Sequence, residues 1–160
     1  MPVIRLETLI NAPIERIFDL ARSIDLHKLS TASTNEQAVA GKTKGLIGLN
    51  ETVTWRAKHL GIYQYLTVKV TRFERPVVFA DKMLKGAFKS MYHIHEFETV
   101  ASDTKMTDVF EYTSPFWILG KFADLLFLKS YMKKFLIIRN REIKLTAEGD
   151  RWKQILEQSN

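Results

Sequence analysis

The sequence predicts an α+β domain in which a curved antiparallel β-sheet wraps one long C-terminal α-helix, with two short helices after the first strand. Three observations carry this. Apolar residues alternate with polar ones through the middle of the chain, from about residue 49 to 113, with turn signals between the runs. After Pro115 the period becomes helical, and Gly120 is the one helix breaker before Glu148. A helical stripe also follows Asn11-Ala12-Pro13, directly after the first strand. The apolar face of a sheet must be covered, and the C-terminal helix is the element long enough to cover it.

Val3 to Ile10 reads as strand one. Asn11 is placed to cap the next helix, Pro13 suits its first turn, and Ile14, Ile17, Phe18 and Ala21 form its stripe. Asp25 is placed to cap a second short helix holding Leu26 and Leu29. Ser30 to Gly45 is polar and reads as a short helix or loop. Strand two places Leu49, Glu51, Val53, Trp55 and Ala57 on one face and Thr52, Thr54, Arg56 and Lys58 on the other. Gly61 marks a turn into a strand from Tyr63 to Phe73, which Arg75-Pro76 ends. Val77 to Leu84 is the next strand and Lys85-Gly86 the next turn. Phe88 to Val100 and Lys105 to Thr113 form a hairpin through Ala101-Ser102-Asp103-Thr104. The closing helix runs from about Leu119 to Glu148 and stops near Gly149, with Leu125, Leu128, Met132, Phe135, Leu136 and Ile143 on its apolar stripe. Residues 1–150 thus read as one domain and 151–160 as a tail.

A chain of 160 residues with 46% hydrophobic and 26% charged residues can bury a core unaided. The absence of cysteine excludes disulfides, thiolate-bound zinc and thiol catalysis, and suits a reducing compartment. Charges interrupt the start, Met-Pro-Val-Ile-Arg-Leu-Glu, before any apolar run develops, so no secretory leader is expected and the expected location is cytoplasmic. The net charge of +6 is compatible with a solvated basic surface, an anionic ligand, an acidic partner or a membrane surface. Nucleic acid is not expected as a partner: the basic residues are scattered, and no helix-turn-helix, finger or RNA-binding pattern occurs.

The chain resembles the SRPBCC (START-related, Bet v 1-like) superfamily, in its polyketide cyclase/dehydrase and lipid transport branch. The resemblance rests on "INAPIERIFDLARSIDLHKLS", "GLIGLNETVTW", "FERPVVFADKMLKGAFKSMYHIHEFE", "TKMTDVFEYTSP" and "KSYMKKFLIIRNREIK", and covers nearly the whole chain. It implies the helix-grip fold, with a hollow between sheet and long helix that takes a lipid, polyketide or other small hydrophobic ligand. It implies no cofactor and no metal. Some members of the superfamily cyclise polyketides or hydrolyse bound substrates, and others serve as non-catalytic domains.

The alternation in "KSMYHIHEFETV" puts Met91, His93, His95 and Phe97 on one face of a strand. The inward face of the last strand carries Met106, Asp108, Phe110 and Tyr112, and that of the strand before the histidines carries Phe79, Asp81 and Met83. With Glu51 on strand two, the inner surface is apolar but holds five ionisable groups: Glu51, Asp81, His93, His95 and Asp108. Buried unpaired, each would cost several kcal/mol, so they pair with one another, hold water or face a ligand. Three readings follow: a polar network that specifies the core, a ligand pocket with a polar end, and a metal site built on His-x-His plus a carboxylate. No spacing fixes a third metal ligand. The pocket reading assigns the walls to Trp55, Leu66, Val68, Phe79 and Met83, with Phe110, Tyr112, Leu125, Leu128 and Met132 opposite or beside them. If the protein is an enzyme, the candidates for proton transfer are His93 or His95 with Asp108.

"PFWILGKFADLLFL", residues 115–128, is apolar nearly all round yet too short to span a bilayer. It reads as the buried start of the long helix. With Lys129, Lys133 and Lys134 following, the stretch 115–134 also suits peripheral contact with an anionic membrane.

Overall fold

The computed structural model describes residues 2–59, 61–114 and 127–158. Seven strands form one antiparallel sheet: β1 (Val3–Ile10), β2 (Gln37–Gly41), β3 (Thr52–His59), β4 (Ile62–Glu74), β5 (Val78–Lys85), β6 (Ser90–Val100) and β7 (Asp103–Thr113). Their spatial order is β1-β7-β6-β5-β4-β3-β2, a curled sheet that does not close. Helices α1 (Ile14–Ala21) and α2 (Ile24–Ser30) follow β1, and a single 3-10 turn (Ala32–Thr34) leads into β2. The long helix α3 (Lys129–Glu148) crosses the concave face, and a short helix α4 (Arg151–Glu157) ends the chain.

The alternation that predicts the strands is the alternation that packs them. Val53, Trp55 and Ala57 of β3 are buried, as are Met91, His93, His95 and Phe97 of β6 and Met106, Asp108, Phe110 and Tyr112 of β7. Two apolar clusters result. One gathers Phe79, Phe97 and the helix α1 around Phe18, whose ring meets Phe73, Phe79 and Phe97 edge-on. The other gathers Trp55, Val68, Phe110 and Leu136.

Several local expectations are corrected. Pro13 occupies the cap position of α1, while the Asn11 amide donates to Asp103 Oδ1 at 2.6 Å. Ser23 caps α2 by accepting from the Leu26 backbone N–H at 3.2 Å. Asp25 instead accepts from the Gly45 N–H at 2.8 Å, tying α2 to the loop before β3. The polar stretch read as helix or loop contains the edge strand β2. The tail read from residue 151 onward is a helix over Arg151–Glu157: Ile155 is buried against the first cluster, and Arg16 lies 3.9 Å from the centre of the Trp152 ring. Of the closing helix, Leu119 to Leu126 lies outside the described residues.

Candidate functional site

The site begins with strand register. His95 on β6 stands opposite Asp108 on β7 and opposite Phe79 on β5, and His93 stands opposite Phe110 and Asp81. Side chains two apart share a face, so both imidazoles point inward with centroids 3.9 Å apart. His95 stacks on Phe79 at 4.3 Å, and His93 meets Phe110 edge-on at 5.2 Å. The pair therefore sits at the seam between the two apolar clusters.

Asp108 is the hub. Its Oδ1 accepts from His93 Nε2 at 3.0 Å and lies 2.7 Å from His95 Nδ1. The second contact is short but off the N–H direction, so it is a close polar contact and not an aligned hydrogen bond. Helix α3 closes the network from the other side. Asn140 Nδ2 donates to Asp108 Oδ2 at 2.6 Å, and the Arg139 guanidinium lies 3.5 Å from Oδ1. Arg139 also donates to the Ala21 carbonyl at 3.0 Å, which locks α3 to α1. On the open side, Asp81 Oδ1 lies 3.5 Å from His95 Nε2.

Burial alone would raise the Asp108 pKa; the charge of His95 and the hydrogen bond from His93 reverse this and hold the carboxyl well below its usual range. Burial likewise opposes charge on Asp81, yet the hydrogen bond to His95 and the nearby His93 keep it below its ordinary value. For His93, burial and then the adjacent His95 win over both carboxylates and push the pKa down to about 4. His93 is thus neutral at neutral pH. Because the ionised Asp108 only accepts, the His93 proton sits on Nε2, and Nδ1 is an acceptor with no protein partner among the described residues.

Beside this network lies a cavity of about 310 Å³ between the inner face of β3–β6 and helices α2 and α3. Its walls are largely apolar, from Val53, Trp55, Val68, Phe110 and Leu136 among others. Polar groups collect at two ends. Asp81, His93, His95 and Arg139 form the inner end; His27, His59 and Tyr131 form the outer one. Tyr131 and Arg139 are eight residues apart on α3, so the ends are separated by about 12 Å at 1.5 Å per residue.

Solved structures share this fold. The protein TTHA0849 from Thermus thermophilus superposes with a TM-score of 0.72 at 18% identity, covering 92% of this chain and 100% of that one. Major latex-like protein 151 from Panax ginseng gives 0.68 at 15% identity, covering 92% and 98%. Aha1 from Colwellia psychrerythraea gives 0.64 at 14% identity, covering 92% and 97%. This is the helix-grip fold. The resemblance read from the sequence is borne out at the level of fold. No family model matches the chain, and no curated protein matches it.

Within the helix-grip frame the expected site residues separate into groups. Trp55, Leu66, Val68, Phe79, Asp81, His93, His95, Phe110, Leu128 and Met132 all line the cavity. Asp108 does not: it is wholly buried behind the histidines. Tyr112 is buried in the second cluster, and Met83 packs against that cluster without lining the cavity. Glu51 is a correction. It lies before β3 with a side chain 41% exposed, accepting from the Gly48 N–H at 2.7 Å and pairing with Lys42 at 3.1 Å. Leu125 lies outside the described residues, as do 115–124 and 126 of the stretch read as a membrane contact. Of its described part, Lys129, Lys133 and Lys134 are exposed. Among the described residues no helix is long and apolar enough to cross a membrane.

Two sets of residues escaped the sequence reading. Arg139 and Asn140 occupy the gap between Leu136 and Ile143 on the buried stripe of α3, a position that spacing alone assigns inward. At the outer end, His27 stacks on Trp55 at 4.2 Å and faces the buried Glu36 at 3.4 Å, while His59 Nδ1 is 2.9 Å from the Tyr131 hydroxyl. Burial opposes charge on Glu36, but His27, His59 and the Thr31 hydroxyl hold its pKa below the usual value. Burial lowers the His59 pKa despite Glu36. These residues are far apart in sequence, and no single stretch signals their meeting.

Proposed function

We propose that this protein binds a small, mainly apolar molecule in the cavity between sheet and α3, with a polar group of the ligand at Asp81, His93 and His95. The observation that carries this is the hollow itself. Its walls are mostly apolar, and apolar surface left facing water forgoes about 25 cal/mol per Å² that a guest covering it would recover. Such room is kept where a guest fills it. An apolar cavity of about 150 Å³ takes one benzene ring, so 310 Å³ suits roughly two rings or a short branched chain. The polar groups at both ends, about 12 Å apart, favour a guest with a polar group at each end.

Native mass spectrometry of the purified protein tests for a co-purified guest. Titration with the fluorescent probe anilinonaphthalene sulfonate tests the room directly. One equivalent should bind saturably, and Val68→Phe, which fills the cavity from β4, should weaken it at least tenfold. Absence of both a guest and saturable probe binding would overturn the reading.

Proton-transfer chemistry on the bound molecule, as in cyclisation, dehydration or hydrolysis, is the second reading. One observation favours it: His93 gives its Nε2–H to Asp108 and leaves Nδ1 as an acceptor, the geometry of a carboxylate-oriented base. His95 is the poorer candidate, since both its nitrogens meet carboxylates. His93→Gln should then leave a folded protein by circular dichroism that has lost turnover.

A further inference from the structure

We propose that Asp81, His93 and His95 form a binding site for one divalent transition-metal ion at the inner end of the cavity. The three donors come from adjacent strands, and one ligating atom from each lies within 4.8 Å of the others. Around an ion with bonds of about 2.1 Å, tetrahedral neighbours stand about 3.4 Å apart. His95 Nε2 and Asp81 Oδ1, at 3.5 Å, already have that spacing. No pair of donor atoms is more than 4.8 Å apart, so the remaining pairs need to close by no more than about 1.4 Å.

The surroundings are those a metal-binding imidazole requires. Such a ring presents its second nitrogen to a carboxylate, which fixes its orientation and raises its basicity. Here one buried carboxylate meets both rings, through a hydrogen bond from His93 and a close contact with His95 Nδ1. His95 turns Nδ1 to Asp108 and leaves Nε2 beside Asp81, whereas His93 gives Nε2–H to Asp108 and leaves Nδ1 without a protein partner among the described residues. Asp108 is itself held by Asn140 and Arg139. The charges also fit. Arg139 balances Asp108, so Asp81 is the unbalanced anion at the cavity floor, and the other lining guanidinium, Arg22, is taken by Asp19 at 2.8 Å. Two imidazoles and one carboxylate suit zinc, iron(II) or cobalt(II), and leave at least one coordination position open toward the cavity for water or a ligand's polar group.

The inference does not rest on an organic guest, and its probe is the metal alone. The full-length protein, stripped with chelator, is titrated with Co²⁺ by visible absorbance and with Zn²⁺ by calorimetry. One equivalent of each should bind, with the intense visible bands of a four- or five-coordinate cobalt site. Asp81→Asn and His95→Gln should each weaken binding at least 100-fold, and Asp108→Asn by about 10–100-fold. Val68→Phe, which should lose the organic probe, should keep the metal, so the two readings fail separately. If His95→Gln does not fold by circular dichroism, the isosteric Asp81→Asn decides. Lack of saturable binding by either ion, or affinity unchanged in Asp81→Asn, would overturn the proposal.

Discussion

Replacement of Asp108 by alanine tests whether the buried network holds the helix to the sheet. The substitution leaves the Arg139 guanidinium, only 5% exposed, without its counter-charge. It also strips an acceptor from His93 Nε2 and from Asn140 Nδ2. Removing one partner of a buried ion pair costs about 3–5 kcal/mol, and each orphaned donor about 1–3. These contributions overlap within one network and do not add. Asn140 keeps Thr8 at 3.4 Å and Arg139 keeps the Ala21 carbonyl, so the expected loss is about 4 kcal/mol. For a chain of this size that corresponds to a fall in Tm of about 8–16 °C. Urea denaturation followed by circular dichroism measures it. The companion variant Arg139→Met should be destabilising alone, and the pair Asp108→Leu with Arg139→Met should recover much of the loss, because apolar side chains of similar volume replace the charges. A loss below about 1 kcal/mol for Asp108→Ala, or a double variant no more stable than Asp108→Leu alone, would refute the ion-pair argument.

In the metal-free protein, His93 has a folded pKa of about 4 against 6.5 unfolded, so the unfolded chain binds its proton first. Stability should therefore fall as pH drops from 6.5 to 4, by roughly 3 kcal/mol, and His93→Gln should flatten that slope relative to the parent, whose His59 acts in the same direction; identical slopes would contradict the assignment. Gly41 has φ +71°, and a Cβ there would stand 2.3 Å from the Thr52 carbonyl oxygen, whereas Gly61, at φ +83°, has open space around it. Gly61→Ala should thus cost about 1 kcal/mol by chemical denaturation and Gly41→Ala distinctly more, the reverse order counting against the clash. Ile155→Ala should cost about 2 kcal/mol in the same assay if α4 is part of the folded unit, and nothing if it is a tail.

The strands were legible because β3, β6 and β7 have one face in the core, where alternation is enforced residue by residue. The same parity misled at Glu51. Val53 and Trp55 point inward, but β3 begins at Thr52 and the chain turns at Asn50 with φ +65°, so the alternation does not extend back through the turn. The strand β2 escaped because it is an edge with an exposed face and little apolar signal. Helix α4 carries its signal in Trp152, Ile155 and Leu156, at spacings of three and four, but seven residues make a short window against a charged background. Asp81, His93 and His95 could be placed on one surface from the sequence because register and parity suffice. Their meeting with Arg139 could not, since it depends on how α3 lies across the sheet.

The exposure of the network's members divides holding from meeting. Asp108 is sealed, its oxygens in contact with His93, His95, Arg139 and Asn140, and no guest can reach it. Asp81 is different: its side chain is 17% exposed, and its one short contact within the network is to His95. In the open cavity, water can solvate the rest of that carboxylate. A wholly apolar guest would remove this water and replace it with nothing, at a cost of several kcal/mol, which would cancel much of the gain from filling the hollow. Tight binding therefore requires that whatever occupies the inner end brings a hydrogen-bond donor, a positive charge or a bound metal ion to Asp81. Asp81→Leu, which removes the charge and keeps the volume, should accordingly reverse the preference. It should tighten purely hydrocarbon probes and weaken those with a donor at one end, and an unchanged ranking of the two probe classes would show that Asp81 takes no part in recognition.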